Sequence, residues 1–433
     1  MAVITRALYV LTTSADRFRT LLADFLRSVG FSPSRYDRGV WMKLRQSKDG
    51  YDYVCTHVDD FKIVAHDADK WLHTISHTFL VKSQGPRSYY LGNDYTYHEG
   101  LDVWTYGGDT YTKHAIDQIE RIYGCLPKEF TPLPVKDCRP ELDTSPLLGL
   151  DDHRKFQMLL GMLQWLVTIA RPDLCHIVSS LNRYRACPRE THLDLAVRAF
   201  GYLKQVPNPQ ICIDHRPMEF SRISPEFDIL IPDFLQDYPD AKEELDPNFP
   251  LSFGPVMETT FLVDSDHAHD KKTRRSLTGW IAFVGSTPVA WQSKRQGSVA
   301  STTYAAEFCA LRTATEEAMS LRYMLRCLGC NVPADYSCAT KVFCDNFSVI
   351  QNSQNPAADL SKKHVAISYH VVREAVAAGI IEPYWIKSGY NMADILTKQL
   401  PKPEFKEHCA HIFWQPDFHL RHHNRLSEVE DES

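Results

Sequence analysis

Two short apolar runs in the back half of the chain, Phe261-Leu262-Val263 and Val342-Phe343-Cys344, each end directly in an aspartate, Asp264 and Asp345. Runs of this length and composition read as buried strands. A carboxylate thus follows the end of each strand. Two more acids share the apolar setting. Glu307 stands near the start of a long helical stretch, among Ala305, Ala306, Phe308, Ala310 and Leu311, and Asp394 lies within Ala393-Asp394-Ile395-Leu396. Taken singly, an Asp at a strand end is a common turn former, and a Glu in a first helical turn is favoured by the helix dipole. Four together, each with an apolar flank, form a set that repels itself unless divalent cations neutralise it. Two hard cations on such a set can clamp a phosphodiester, which gives the acids ligating and positioning roles.

The surrounding pattern is strand-rich. Strands are predicted at 259–263, 277–284, 288–292, 341–344 and 380–387, with long helices at 301–328 and 363–378 and a short one at 392–397. Further forward, residues 1–100 read as mixed α and β, with a helix over 15–30 ended by Gly30, and two short strands around a turn over 51–65. Residues 112–212 read as mostly helical. Seven prolines punctuate residues 213–257, an acidic stretch with Asp237, Asp240, Glu243, Glu244 and Asp246, which marks a linker or insertion. Beyond Pro401 the chain turns polar. The expected segments are therefore 1–110, 111–212, 213–257, 258–400 and a polar tail at 401–433, in an α+β or α/β chain.

Charge and cysteine usage narrow the function. The 433 residues carry a net charge of −6, which argues against a protein held on nucleic acid by bulk charge. Local basic clusters remain: Lys271, Lys272, Arg274 and Arg275; Lys294 and Arg295; Lys362, Lys363 and His364. Each is a solvated patch on its own, and their places beside the four acids make them candidates for phosphate contact. The 12 cysteines include a single Cys-x-x-Cys, Cys327 to Cys330. No second pair follows at zinc-site spacing, so free thiols in a reducing compartment are expected. No apolar run reaches bilayer length, and the first residues lack a secretory leader. The expected location is cytoplasmic or nuclear.

The run Val263-Asp264-Ser265-Asp266-His267-Ala268-His269-Asp270, followed by Arg274-Arg275-Ser276-Leu277-Thr278-Gly279, resembles the opening of a copia-type retrotransposon ribonuclease H. Pro288 to Gln296, Ala306-Glu307-Phe308, Phe343-Cys344-Asp345-Asn346, Lys362-Lys363-His364, Tyr369 to Glu374, and Met392 to Lys398 continue it in family order. The resemblance implies a mixed five-stranded sheet with flanking helices, and cleavage of the RNA strand of RNA–DNA hybrids. It also implies two Mg²⁺ ions, with Mn²⁺ as a substitute, on Asp264, Glu307, Asp345 and Asp394. One of His364 and His370, six residues apart, would assist product release, with His370 the auxiliary candidate. Departures exist. Ala305 stands where the family has a second helix acid, His267 where a Trp is common and His269 where a Gly is common. The two histidines could suggest a metal pair, but they read rather as phosphate contacts or as residues without a role.

The front half resembles the copia-type reverse-transcriptase palm through Arg6 to Leu11, Phe25 to Phe31, His57-Val58-Asp59-Asp60 and Tyr90-Leu91-Gly92. Phe156-Gln157, Leu160-Gly161, Trp165 to Val167 and Ala170 to Leu174 resemble the connection that leads to ribonuclease H. Asp59 and Asp60 would be retained polymerase metal ligands. A third palm carboxylate and the fingers are expected upstream of the segment matching Arg6 to Leu11. Val10 replaces a Gly and His57 a Tyr. Polymerase activity is therefore expected to be incomplete. Partners would be the hybrid, the missing polymerase segment or other retrotransposon proteins. The rival expectation is a catalytically silent relic that binds nucleic acid or a partner chain.

Overall fold

The computed structural model describes residues 12–58, 60–81, 89–135, 138–218, 238–355 and 366–415. The chain clusters into two compact units. One comprises Met1–Arg87, Glu244–Met257 and Ser320–Pro333, and the other Ser88–Glu243, Glu258–Met319 and Ala334–Ser433.

In the first unit, α1 (Thr12–Ser28) precedes β1 (Ser32–Pro33), β2 (Val40–Leu44), β3 (Tyr51–His57), β4 (Asp60–Val64) and α2 (Ala68–Ser76). The four strands form one antiparallel sheet in chain order. The helix stops where the sequence places its glycine. Gly30 takes φ +90, and the N–H of Phe31 then reaches back to the Leu26 carbonyl at 2.9 Å, satisfying a carbonyl the helix leaves open. Leu22, Leu26, Phe31, Trp41, Val54 and Trp71 make the core. The proline-rich acidic segment contributes to this unit. Asp246 pairs with Arg35 at 2.6 Å, and Leu251 accepts a hydrogen bond from the Tyr51 hydroxyl at 3.1 Å. Its strand β9 (Phe253–Val256) pairs in parallel with β13 (Cys330–Asn331). Neither strand is predicted, because a two- to four-residue pairing across some 75 residues leaves no local periodicity to read.

The second unit opens with β5 (Tyr89–Tyr90), β6 (Asn93–His98) and β7 (Val103–Gly107), closed into an antiparallel sheet by β8 (Ile211–Ile213). Between β7 and β8 run α3 (Asp109–Tyr123), α4 (Leu150–Ile169), α5 (Cys175–Asn182) and α6 (Glu190–Gln205). The break expected at Arg171-Pro172-Asp173 is present as a short 3₁₀ turn, Pro172–Leu174. It is an electrostatic hub as well as a stop. Arg171 and Asp173 are buried and joined by three guanidinium bonds of 2.9, 3.2 and 2.6 Å. Tyr202 on α6 donates to Asp173 at 2.7 Å, and Arg171 donates to the Val206 carbonyl at 3.1 Å. The hub ties α6 to the α4–α5 junction.

A five-stranded mixed sheet follows: β10 (Thr259–Asp266), β11 (Leu277–Val284), β12 (Thr287–Arg295), β14 (Thr340–Cys344) and β15 (Ile381–Trp385), in the order β12-β11-β10-β14-β15. The first three pair antiparallel and the last three parallel. The helix α7 (Thr303–Cys327) leads from β12 toward β14. The pair α8 (Phe347–Gln354) and α9 (Ala366–Ala377) leads from β14 to β15, as parallel neighbours require. Every residue of β11 and all but the last of β10 are buried, which explains continuous apolar runs in place of alternation. Ile281, Leu262, Phe343 and Tyr384 form one row across four strands, on the face that packs into the same core as α4, α5 and α6. Trp291 of β12 donates to the Val167 carbonyl of α4 at 2.8 Å.

Residues after Pro401 depart from the expected polar tail. Lys402–Ile412 form α10, and Phe405, His408 and Ile412 are buried. Charged residues between them hide an i, i+3, i+7 stripe that meets the core. Residues 416–433 lie outside the described part. Among the described residues no helix is long and apolar enough to cross a membrane, and no cysteine is in a disulfide.

Gly279 has a specific steric role. A Cβ there would stand 2.7 Å from Leu396 Cβ and 2.7 Å from Thr397 Cγ2, so only glycine lets the 392–397 turn close onto β11. Gly279→Ala is expected to cost about 1–3 kcal/mol through overpacking, read as a lowered melting temperature. Unchanged melting would mean that the turn is not seated on β11. Asp173→Ala strands the buried Arg171 guanidinium and is expected to cost about 3–5 kcal/mol in urea unfolding of this unit. A loss below about 1 kcal/mol would show that the pair does not hold the junction.

Candidate metal centre

Strand pairing builds the centre. In the parallel β10–β14 register Val263 lies opposite Cys344, so Asp264 and Asp345, the next residues on each strand, stand side by side. Each is two residues beyond a member of the buried row, Leu262 or Phe343, and side chains alternate with period two along a strand. Glu307 enters from the first turns of α7. Asp394 enters from a 3₁₀ turn, Met392–Leu396, seated on β11 opposite Asp264 through Gly279, its cross-strand partner.

The structure brings all four predicted acids together. Carboxylate oxygens of Asp264, Asp345 and Asp394 lie within 4.8 Å of one another. Oxygens of Glu307 and Asp345 and the sulfur of Cys344 form a second group within the same distance. Asp345 belongs to both. Asp264, Glu307 and Asp394 are each no more than 3% exposed, while Asp345 is half-buried and opens the set to solvent.

So much buried negative charge needs compensation. Burial raises the Asp264 carboxyl above its usual range, and Asp345 adds to the rise while Lys398 opposes it. Burial also pushes Glu307 well up, helped by the charges of Asp264 and Asp345. Asp394 is pushed up to about 8, by burial first and then by Asp264. Lys398 answers them. Its ammonium lies 3.0 Å from Asp264 Oδ1 and 2.9 Å from Asp394 Oδ1. Burial works against its charge, but the two carboxylates outweigh burial and hold it protonated. Thr397 donates to the other Asp264 oxygen. One ammonium among four carboxylates leaves a negative, oxygen-rich set, the donor chemistry that suits Mg²⁺ or Mn²⁺.

Supporting residues fix the ligands. The fully buried Asn391 caps the 3₁₀ turn by accepting from the Ala393 N–H, and donates to the Val263 carbonyl at 2.9 Å. Asp394 is thereby anchored to the strand that carries Asp264. Ser388 donates to Asp345 Oδ2 at 2.8 Å, and the Trp385 indole donates to the Asp345 carbonyl at 2.9 Å. Sequence reading passed over Lys398, Asn391 and Gly279 as supporting groups. For Lys398 a signal existed, since it stands four residues after Asp394, the spacing of a helical ion pair.

Other predicted site residues fall elsewhere. Asp60 begins β4 in the first unit and is exposed. Asp59, Lys362, Lys363 and His364 lie outside the described residues. Lys271, Lys272 and Arg274 are exposed on a turn wound around Asp270, with Arg275 beside them and Lys294 exposed on β12. Arg295 is committed differently. It donates to the buried Asp270 carboxylate at 2.8 Å, beside Arg183, which bonds the same oxygen. It therefore serves the fold of the turn rather than standing free for a phosphate. His267 bonds the Ala300 carbonyl at 3.1 Å, and His269 the Asp266 carboxylate at 2.7 Å. His370 on α9 bonds the Tyr238 hydroxyl at 2.7 Å and belongs to none of the ligand groups.

No family model matches the chain. Among curated proteins it is similar to the retrovirus-related Pol polyprotein from transposon RE1 of Arabidopsis thaliana, 25% identical over 410 residues, which covers 94% of this chain and 24% of that protein. It is also similar to the Pol polyprotein from transposon TNT 1-94 of Nicotiana tabacum, 24% identical over 421 residues, 93% of this chain and 27% of that one. The chain thus spans about a quarter of the length of these relatives. Among solved structures it is similar to ribonuclease H1 from Halobacterium salinarum NRC-1, 19% identical, covering 33% of this chain and 95% of that one with a TM-score of 0.25. At that score the fold rests on the strand order above, not on the superposition. The similarity to retrovirus-related Pol polyproteins of transposons runs over nearly the whole chain.

Proposed function

We propose that the second unit cleaves the RNA strand of RNA–DNA hybrids, using divalent cations held by Asp264, Glu307, Asp345 and Asp394. The observation that carries this reading is the convergence of those four carboxylates, from two adjacent parallel strands, one helix and one 3₁₀ turn, on a spot that only Asp345 opens to solvent. Divalent cations bound there would supply activation of the attacking water and stabilisation of the leaving oxygen of a phosphodiester.

The chain's own residues do the rest. Asp345 and Asp264 would hold the cations from the ends of paired parallel strands. Asn391 and Gly279 hold Asp394 against β10 and β11. Lys398 bonds two of these acids, Asp264 and Asp394, and offsets part of their charge. The exposed Lys271, Lys272, Arg274 and Lys294 give positive charge for the hybrid's phosphates, a contact that follows backbone shape rather than base sequence. The reading rests on the second unit alone, and it assigns Asp59 and Asp60 no part in cleavage.

The test is cleavage of a labelled RNA–DNA hybrid with Mg²⁺ and with chelator. Asp264→Asn and Asp345→Asn are each expected to lower the rate about 100-fold or more, as several kcal/mol of charge stabilisation are lost, with the fold retained by circular dichroism. Undiminished cutting by either variant would sink the assignment.

A second prediction follows from the raised carboxyls. Between the usual 3.8 and about 8, Asp394 in the cation-free protein keeps a proton that the unfolded chain has released. Its contribution to stability therefore falls as pH rises through that window. A bound cation displaces the proton. Mg²⁺ should therefore bind with proton release, and should raise the melting temperature more at about pH 8.5 than at about pH 6. Calorimetric titration in buffers of different ionisation enthalpy measures the released protons. Binding without release, at an affinity flat across that range, would show that the acids are ionised beforehand.

A further inference from the structure

Asp394 belongs to a second ligand group that hybrid cleavage does not use. Glu404 and His408 stand four residues apart on α10, the spacing that puts two side chains on one helical face. A carboxylate oxygen of Asp394, one of Glu404 and a ring nitrogen of His408 all lie within 4.8 Å of one another. His408 is 2% exposed, and among the described residues its buried Nε2 has no hydrogen-bond partner. An unpaired buried nitrogen costs about 1–3 kcal/mol, and an imidazole carrying that cost beside two carboxylates is placed to hold a cation. Glu404 is half-buried, which leaves the group a path to solvent.

We propose that Asp394, Glu404 and His408 form a transition-metal site, distinct from the four-acid centre and best suited to Zn²⁺. One imidazole and two carboxylates with a fourth position for water match the donor set of zinc, whereas Mg²⁺ prefers oxygen alone. An ion here would clamp α10 to the turn that carries Asp394. It would tie the position of a catalytic-centre ligand to a helix outside the centre. The site shares Asp394 with the four-acid centre but takes Glu404 and His408 from outside it, and it survives if hybrid cleavage is never observed.

Co²⁺ serves as the spectroscopic probe, titrated into the full chain in excess Mg²⁺ to occupy the four-acid centre. One equivalent is expected to bind with visible ligand-field absorption. Its affinity should fall about tenfold or more in His408→Gln and in Glu404→Gln, since losing a ligand costs at least as much as losing a supporting partner. It should persist in Asp345→Asn. Zn²⁺ should displace the probe. Glu404→Gln decides the matter if His408→Gln fails to fold, because Glu404 is half-buried and lies on a helix surface. Binding that is lost in Asp345→Asn but unchanged in Glu404→Gln would place the probe in the four-acid centre and overturn the proposal. So would the absence of any Mg²⁺-resistant binding.

Discussion

The parallel pairing of β10 with β14 is the constraint on which the rest of the second unit depends. Val263 opposite Cys344 fixes Asp264 beside Asp345. A slip of one residue would turn one carboxylate to the other face and send an apolar side chain into its place. Such a slip is resisted by the row of Ile281, Leu262, Phe343 and Tyr384, which fits the shared core only in this register. Apolar packing two residues away thus enforces the placement of charge. Both strands can end in acids because their other residues are buried well enough to hold them.

The cost of gathering those acids appears in their raised carboxyls, and residues 391–398 answer it as one device. Asn391 pins the turn to β10, Asp394 adds a carboxylate, Thr397 bonds Asp264, and Lys398 spans Asp264 and Asp394. A lysine with three donors can share itself between two acids and can give up those bonds without leaving a buried cation, since its side chain is 34% exposed. Gly279 is the steric condition for all of this. Any side chain on that residue of β11 would lift the turn and open the gap between Asp394 and Asp264.

The parts legible in the sequence are those whose cause is local. Apolar runs ending in Asp264 and Asp345, the long helix that carries Glu307 and the short turn around Asp394 all declare themselves within a few residues. The four acids could be proposed together because a resemblance supplied their order, and the strand register then supplied their proximity. What escaped has distant causes. Arg295 looks like part of a basic patch until Asp270, twenty-five residues earlier, takes its guanidinium. The strand β8 is made by β7, about a hundred residues before it. The helix α10 was hidden by composition: Phe405, His408 and Ile412 are spaced for one face, but Lys402, Lys406 and Glu407 give the stretch a polar average.

That last helix changes what holds the centre. Phe405 and Ile412 enter the same core as Leu262 and Phe343, alongside Met392, Ala393, Ile395 and Leu396 of the Asp394 turn. The turn is therefore gripped from two sides, by β10 and β11 through Asn391 and Gly279, and by α10 through apolar contact. Asp394 sits between the grips with its carboxylate shared by two ligand groups. A buried carboxylate offers two oxygens, and in this fold Lys398 holds only one of them by a hydrogen bond. The charge environment of Asp394 is thus set jointly by strand residues more than a hundred positions before it and by a helix that begins eight residues after it.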